Sequence, residues 1–150
     1  MNYINEEILI KRLEKEDLVV FEKLIQLFHE VFKSSWTASA KPSYLHGMLE
    51  QTTFIAIAAL CKNEVIGGLT AHELPMYYKE SSEIFIYDLA VSPDFRRKGT
   101  GKQLISALKK VNKDFWLSHP IEKSKFLLLA KFAYDISHDE DFAIKADDLL

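Results

Sequence analysis

The spacing of hydrophobic positions changes several times along this chain, and each change predicts an element. Residues 8–13 are apolar and β-branched at their start, which predicts a first strand. Over residues 15–32 the period becomes helical. Phe21, Leu24, Ile25, Phe28, Val31 and Phe32 make one stripe, with Glu22, Lys23, Gln26, His29 and Glu30 between them. Residues 34–41 read as a loop, and Pro42-Ser43 as the start of a short helix carrying Leu45, Met48 and Leu49. Residues 54–61 are continuously apolar, as expected of a strand covered on both faces. Lys62-Asn63 predicts a hairpin turn into a strand over 64–74, since Asn tolerates positive φ. Gly67-Gly68 inside that strand predicts a bulge or a close backbone approach. Residues 83–91 alternate in β-rich fashion until Ser92-Pro93, and a helix with Leu104, Ile105, Leu108 and Val111 on one face follows Gly99. Beyond a connector at 118–123, a strand over 125–132 and a helix over 139–150 are expected. The order β-α-α-β-β-β-α-β-α predicts a mixed α/β domain.

Composition narrows the class. At 150 residues, 48% hydrophobic and 27% charged, the chain suits a single globular domain spanning 1–150. A net charge of −3 supplies no global basic field, so nucleic acid is not an expected partner. Cys61 is the only cysteine, which excludes an intrachain disulfide and fits a reducing compartment. The first residues lack a basic n-region, and no apolar run reaches the length of a membrane span. No membrane partner is therefore expected, and a cytoplasmic location is. The five histidines show no metal-ligand spacing, and no metal is expected.

The glycines are few, and two flank Thr100. From Tyr87 the chain runs Asp88-Leu89-Ala90-Val91-Ser92-Pro93-Asp94-Phe95-Arg96-Arg97-Lys98-Gly99-Thr100-Gly101-Lys102. A strand thus passes through a cationic, glycine-bearing loop into a helix N-terminus. Backbone N–H groups there lack intrahelical partners and sit at the positive end of the dipole. Glycine lets an anion approach the backbone, and Arg96, Arg97, Lys98 and Lys102 add charge. This chemistry predicts a site for a phosphorylated cofactor. A P-loop is excluded because Arg96 and Gln103 stand where Gly and Ser/Thr are needed. A Rossmann fingerprint is excluded because Leu104 replaces its third glycine. The plain alternative is a solvated basic turn with two incidental glycines.

Arg96-x-x-Gly99-x-Gly101 after Leu89-Ala90-Val91 resembles the Arg/Gln-x-x-Gly-x-Gly/Ala motif of the GNAT acetyltransferase superfamily. The likeness is closer still to the type I aminoglycoside 3-N-acetyltransferases. It is echoed by Thr53-Phe54-Ile55-Ala56, Val65-Ile66-Gly67-Gly68-Leu69, Glu73-Leu74-Pro75 and residues 83–91. It covers residues 8–111 and is strongest over 54–108. The resemblance implies a GNAT fold with acetyl-coenzyme A as cosubstrate. N–H groups of Arg97, Lys98, Gly99, Thr100, Gly101 and Lys102 would cradle the pyrophosphate. Arg96 and Lys102 would meet phosphate charge, and the strand Leu89-Ala90-Val91 would offer backbone groups to the pantetheine arm.

The same resemblance makes Asp88 the expected catalytic residue, binding the substrate ammonium and accepting its proton. Its alternative is an Asp that only ends or bulges the strand. Strict alternation places Glu83 and Tyr87 on the face opposite Asp88, so Glu83 ranks as a lesser substrate-binding candidate and Tyr87 as core or wall. Glu73, with Glu80, would give a polycation an acidic mouth or a merely solvated rim. Trp36 lies in the loop that shapes the acceptor site in this superfamily. His72 is an alternative base, and Cys61, at the end of an apolar run, is expected to be buried and inert. The C-terminal part departs from the family: residues 139–150 contain no Tyr, Tyr134 precedes them out of register, and no closing hairpin follows. The expectation is a GNAT fold lacking its last strands, whose exposed edge would favour a homodimer. The expected activity is acetyl transfer to a primary amine of a small polycation, an aminoglycoside before a polyamine. A catalytically impaired acyl-coenzyme A module and a protein N-acetyltransferase are the alternatives.

Overall fold

The computed structural model describes residues 6–33, 39–78, 80 and 82–111. Within them lie strands β1 (Ile8–Arg12), β2 (Phe54–Cys61), β3 (Glu64–Pro75) and β4 (Ser82–Val91), and helices α1 (Leu18–Phe32), α2 (Pro42–Glu50) and α3 (Thr100–Val111). The strands form one antiparallel sheet in the order β1-β2-β3-β4. The mixed α/β order predicted for this stretch holds. The elements predicted over 118–150, Tyr134 and Trp36 lie outside the described residues.

The unbroken apolar run of β2 has a direct cause. Every residue of this central strand is buried, and its side chains alternate between two cores. Ile55, Ile57, Ala59 and Cys61 point to α3, where Leu104, Ile105 and Leu108 cover them. Phe54, Ala56, Ala58 and Leu60 point to α1 and α2, against Phe21, Leu24, Phe28 and Leu45. The helical stripe of α1 is thus the lid of one sheet face and that of α3 the lid of the other. Before α1, a 3-10 turn at Lys15–Asp17 is closed by the Asp17 carboxylate, which accepts the Glu14 N–H (3.0 Å) and the Lys11 ammonium (2.6 Å).

The β2–β3 turn needs positive φ at both central positions, as hairpins of this length do. Lys62 (49°) and Asn63 (65°) supply it. Both sequence-level readings of Gly67-Gly68 are met by adjacent features. The register slips between Ala59 and Leu60, leaving Ile66 as an extra residue just before the pair. A Cβ on Gly68 would lie 2.4 Å from Leu24 Cδ1 and 2.7 Å from the Ile57 carbonyl, so the missing side chain is what seats α1 on the sheet.

A second slip, between Thr70 and Ala71, decides the geometry of the site. Ile86 opposes Ala71 and Asp88 opposes Thr70, so Tyr87 is the extra residue of a β-bulge in β4. Ile84 and Ile86 face α3 before it, and Leu89 and Val91 face α3 after it. The parity has switched. Glu83 and Phe85 therefore share the α1/α2 face of the sheet with Asp88 and Ala90, which corrects the expectation from strict alternation that Glu83 lies opposite Asp88.

Candidate functional site

The β4–α3 connection is tied down from three sides. The Ser92 N–H donates to the Ile66 carbonyl (2.7 Å), a 3-10 turn spans Pro93–Phe95, and Arg96 Nε donates to the Val91 carbonyl (3.0 Å). The Arg96 side chain thus folds back onto the end of β4 and fixes the loop to the strand. Arg97 (φ 62°) and Gly99 (φ 79°) both adopt the left-handed region, turning the backbone into α3. Nothing lies within 4 Å of a Cβ built on Gly99, so glycine is required there by conformation and its outer side is open. The Gly99 carbonyl accepts the Gln103 N–H (3.0 Å), which marks it as the first acceptor of α3. The N–H groups of Thr100 and Gly101 precede that bond at the first turn of the helix, where no helical acceptor is available.

Cations surround this turn. Lys98 Nζ stands 5.2 Å from the centre of the Phe95 ring, and buried Thr100 donates its hydroxyl to the Phe95 carbonyl (3.5 Å). Beside the turn, an open groove of about 700 Å³ between β1 and α3 carries Arg12, Lys102 and Lys110 near Gly99. Partial burial, and then the Lys102 charge, push the Lys109 ammonium below its usual range. The arrangement suits a phosphate-bearing ligand whose charge reaches the turn and the groove together.

The second half of the site lies on the α1/α2 face of the sheet. Asp88 is half-buried there, and that burial pushes its carboxyl pKa up. On the neighbouring strand Thr70 is its partner, with Ala56 beyond on β2. One step along, Phe54, His72 and Phe85 line up across three strands. The His72 ring sits 5.3 Å from Phe54 and 5.9 Å from Tyr87, and Tyr87 lies 6.4 Å from Phe85. Tyr87 is 58% exposed, so it is a wall and not core; contrary to the alternation argument it lies beside Asp88.

The predicted residues are only partly gathered. Glu83 shares the Asp88 face, four ladder steps away, or roughly 13 Å at strand spacing. Glu73 pairs with Ile84 on the α3 face and accepts the Ser82 hydroxyl (2.6 Å), away from Asp88. Glu80 is exposed near the β3–β4 connection. Leu89, Ala90 and Val91 are fully buried by their side chains, and among the described residues β4 is an outer strand, so one side of its backbone faces no described neighbour. Cys61 donates its thiol to Glu6 Oε2 (3.2 Å), and this bond together with burial raises its pKa. That disfavours the thiolate a nucleophile would need. Among the described residues no group of three or more His, Cys, Asp or Glu is arranged to hold a metal, and no helix is long and apolar enough to cross a membrane. A bulge between Glu83 and Asp88 is open to the sequence as an alternative to strict alternation, and apolar parity points to it: Ile84 and Ile86 are even, Leu89 and Val91 odd, and parity cannot switch in a strand without an extra residue; the ring cluster carries no such local signal.

Comparison with known proteins agrees with this geometry. The profile of the Acetyltransferase (GNAT) family matches residues 21–119. An aminoglycoside acetyltransferase from an uncultured soil metagenomic sample, solved in complex with trehalose, is similar at 37% identity and a TM-score of 0.69, over 71% of this chain and 70% of that one. The same enzyme has been solved in complex with sisomicin, with 37% identity, a TM-score of 0.68 and 72% coverage of both chains. A second soil metagenomic aminoglycoside acetyltransferase is 36% identical, with a TM-score of 0.69 over 72% of this chain and 73% of that one. No curated protein sequence matches the chain.

Proposed function

Because the chain belongs to the GNAT acetyltransferase family, we propose that it transfers an acetyl group from acetyl-coenzyme A to a primary amine of a small polycation, and that the polycation is an aminoglycoside. The observation that carries this reading is the bulge at Tyr87. It turns the half-buried Asp88 carboxylate onto the α1/α2 face of the sheet beside the exposed rings of Phe85 and Tyr87, on the strand that leads straight into the Gly99 turn. Similarity of 36–37% to solved aminoglycoside acetyltransferases supports the choice of acceptor.

The residues at the β4–α3 turn fit the cosubstrate. An open left-handed glycine, the first-turn N–H groups of Thr100 and Gly101 and the adjacent Lys98 and Lys102 provide donors and charge for a pyrophosphate. When bound, acetyl-coenzyme A supplies an activated acyl group as its thioester. The outer edge of Leu89–Val91 would hold the pantetheine arm. Arg96, with its Nε on the Val91 carbonyl, contributes by fixing the turn to the strand.

Asp88 supplies the proton chemistry. An ammonium has no lone pair, so the acceptor must lose a proton before its nitrogen can attack a carbonyl. A carboxylate pushed up by burial is a better base than a solvated one, and it also attracts the ammonium to the reacting position. The bulge takes Tyr87 out of the β3 register, and a main-chain N–H released there would face a developing oxyanion beside Asp88. Glu83 would bind a second ammonium on the same face, Glu73 keeps only a peripheral place, and Trp36 would contact the acceptor as the sequence resemblance implies.

The test has two stages with the full chain. Acetyl-coenzyme A at millimolar concentration should raise the melting temperature. Thiol release should then be fastest with sisomicin, slower with spermidine and slowest with a peptide amine. Stabilisation without release from any amine would overturn the transferase reading. Product NMR reads the position, for which the sequence resemblance points to the 3-amino group.

A further inference from the structure

On the sheet face that bears Asp88, two aromatic rings stand out in solvent. Phe85 is 37% exposed and Tyr87 58%, although both lie within a strand whose other side chains are largely buried. Their exposure has a structural origin: the bulge brings Tyr87 to the same face as Phe85 and Asp88. The rings are in mutual contact. Tyr87 meets Phe85 edge-on at 6.4 Å and His72 at 5.9 Å, and His72 leans on buried Phe54 at 5.3 Å. Four rings thus form a braced row from the core to the surface, with Asp88 after its outer rings along β4 and Glu83 before them.

We propose that Phe85 and Tyr87, braced by His72 and Phe54, form a specificity-determining wall in which a saccharide ring bearing ammonium groups lies flat on the Tyr87 face and meets the edge-on Phe85 ring at its side. This inference rests on the acetyltransferase reading given above and names how its acceptor is chosen. Flat, rigid rings with electron-rich faces add contact area at little entropic cost and attract adjacent cations. Carboxylates at either end of the row, roughly 13 Å apart at strand spacing, meet ammonium groups on different rings of the bound acceptor. A cyclic polyamine satisfies both features at once, whereas a linear polyamine uses the charges and leaves the wall uncovered. Tyr87 acts here through its ring and not through its hydroxyl.

Direct binding measured by calorimetry without acetyl-coenzyme A separates this proposal from the reaction itself. Sisomicin and spermidine are titrated into the wild type, Tyr87→Leu, Tyr87→Phe and Phe85→Leu, each checked for a wild-type circular dichroism spectrum. Tyr87→Leu is expected to weaken sisomicin about tenfold while moving spermidine by less than about threefold. Tyr87→Phe should stay within about twofold for both. Phe85→Leu, at a separate position, should repeat the selective loss in case one leucine variant misfolds. Wild-type affinity for sisomicin in both leucine variants overturns the wall, as does an equal loss for both ligands or no sisomicin binding by the wild type. Sisomicin binding that shows the selective loss, without acetyl transfer, upholds the wall and overturns only the reaction.

Discussion

Asp88 illustrates how a single residue sets stability against function. Its pKa is raised by burial, so between the unfolded and the raised folded value the folded chain holds a proton that the unfolded chain releases. The folded state is therefore favoured at low pH, and that advantage is lost as pH rises through the raised folded value. Asp88→Asn stays neutral throughout. It should melt higher than the wild type at pH 7, with the gap closing below about pH 4, where an ordinary aspartate is itself protonated. Parallel melting curves over that range test this; equal stability at neutral pH would mean the burial cost is compensated. The same variant should bind acetyl-coenzyme A within about twofold of wild type yet lose roughly a hundredfold or more in turnover, the usual worth of a general base. Gly99→Ala tests the other half of the site. The φ of 79° strains any Cβ even though the space is open, so a stability loss of about 1–2 kcal/mol is expected in urea titration, with weaker binding of acetyl-coenzyme A.

At the scale of elements, the site depends on how α1 and β4 meet the sheet. Leu24 of α1 fills the place that a Gly68 side chain would take. Gly68→Ala would set a methyl group 2.7 Å from a backbone carbonyl that cannot turn aside. A loss of about 1–3 kcal/mol is expected, read as a lower urea midpoint with an unchanged slope. Because α1 covers the face that carries Asp88, this variant should also lower turnover. Acetyl-coenzyme A binding should suffer less, since α3 and the Gly99 turn belong to the opposite layer. The bulge in β4 has the larger consequence. Without the extra residue, either Asp88 or the Ile84–Ile86 pair would have to turn away from its present face, and the carboxylate would be separated from Glu83 and Phe85.

For the whole molecule, charge is distributed unevenly. The chain as a whole carries −3, while Arg96, Arg97, Lys98 and Lys102 cluster where β4 enters α3. The overall negative charge suits a cationic acceptor, and the local positive charge suits a phosphorylated cosubstrate. Raising salt from low to high ionic strength should therefore weaken both acetyl-coenzyme A and the polycation, because screening acts on each attraction. An acetyl-coenzyme A affinity insensitive to salt would show that the backbone N–H groups act without help from the cations. We further propose that residues 1–150 unfold as one domain. A single transition with coincident fluorescence and circular dichroism midpoints is expected, and two separated transitions would refute it.

Period and punctuation alone determined the elements from β1 to α3. An eight-residue apolar run between turn residues is short for a helix and fits a strand covered on both sides, and the stripes of α1 and α3 need a surface to cover. The Gly99 turn was equally legible, because left-handed backbone, helix N-terminus and cations are all written locally. The tertiary structure decided which side chains meet. The face occupied by Asp88 depends on β-pairing with β3, a contact remote in sequence, and one unpaired residue reverses every assignment made by alternation. Arg96 likewise reads as a phosphate ligand in the motif, and only the fold shows that its Nε also ties the loop to the Val91 carbonyl. Local sequence fixes backbone conformation through sterics and hydrogen-bond capacity, whereas the composition of a site depends on register between distant strands, which only the folded sheet imposes.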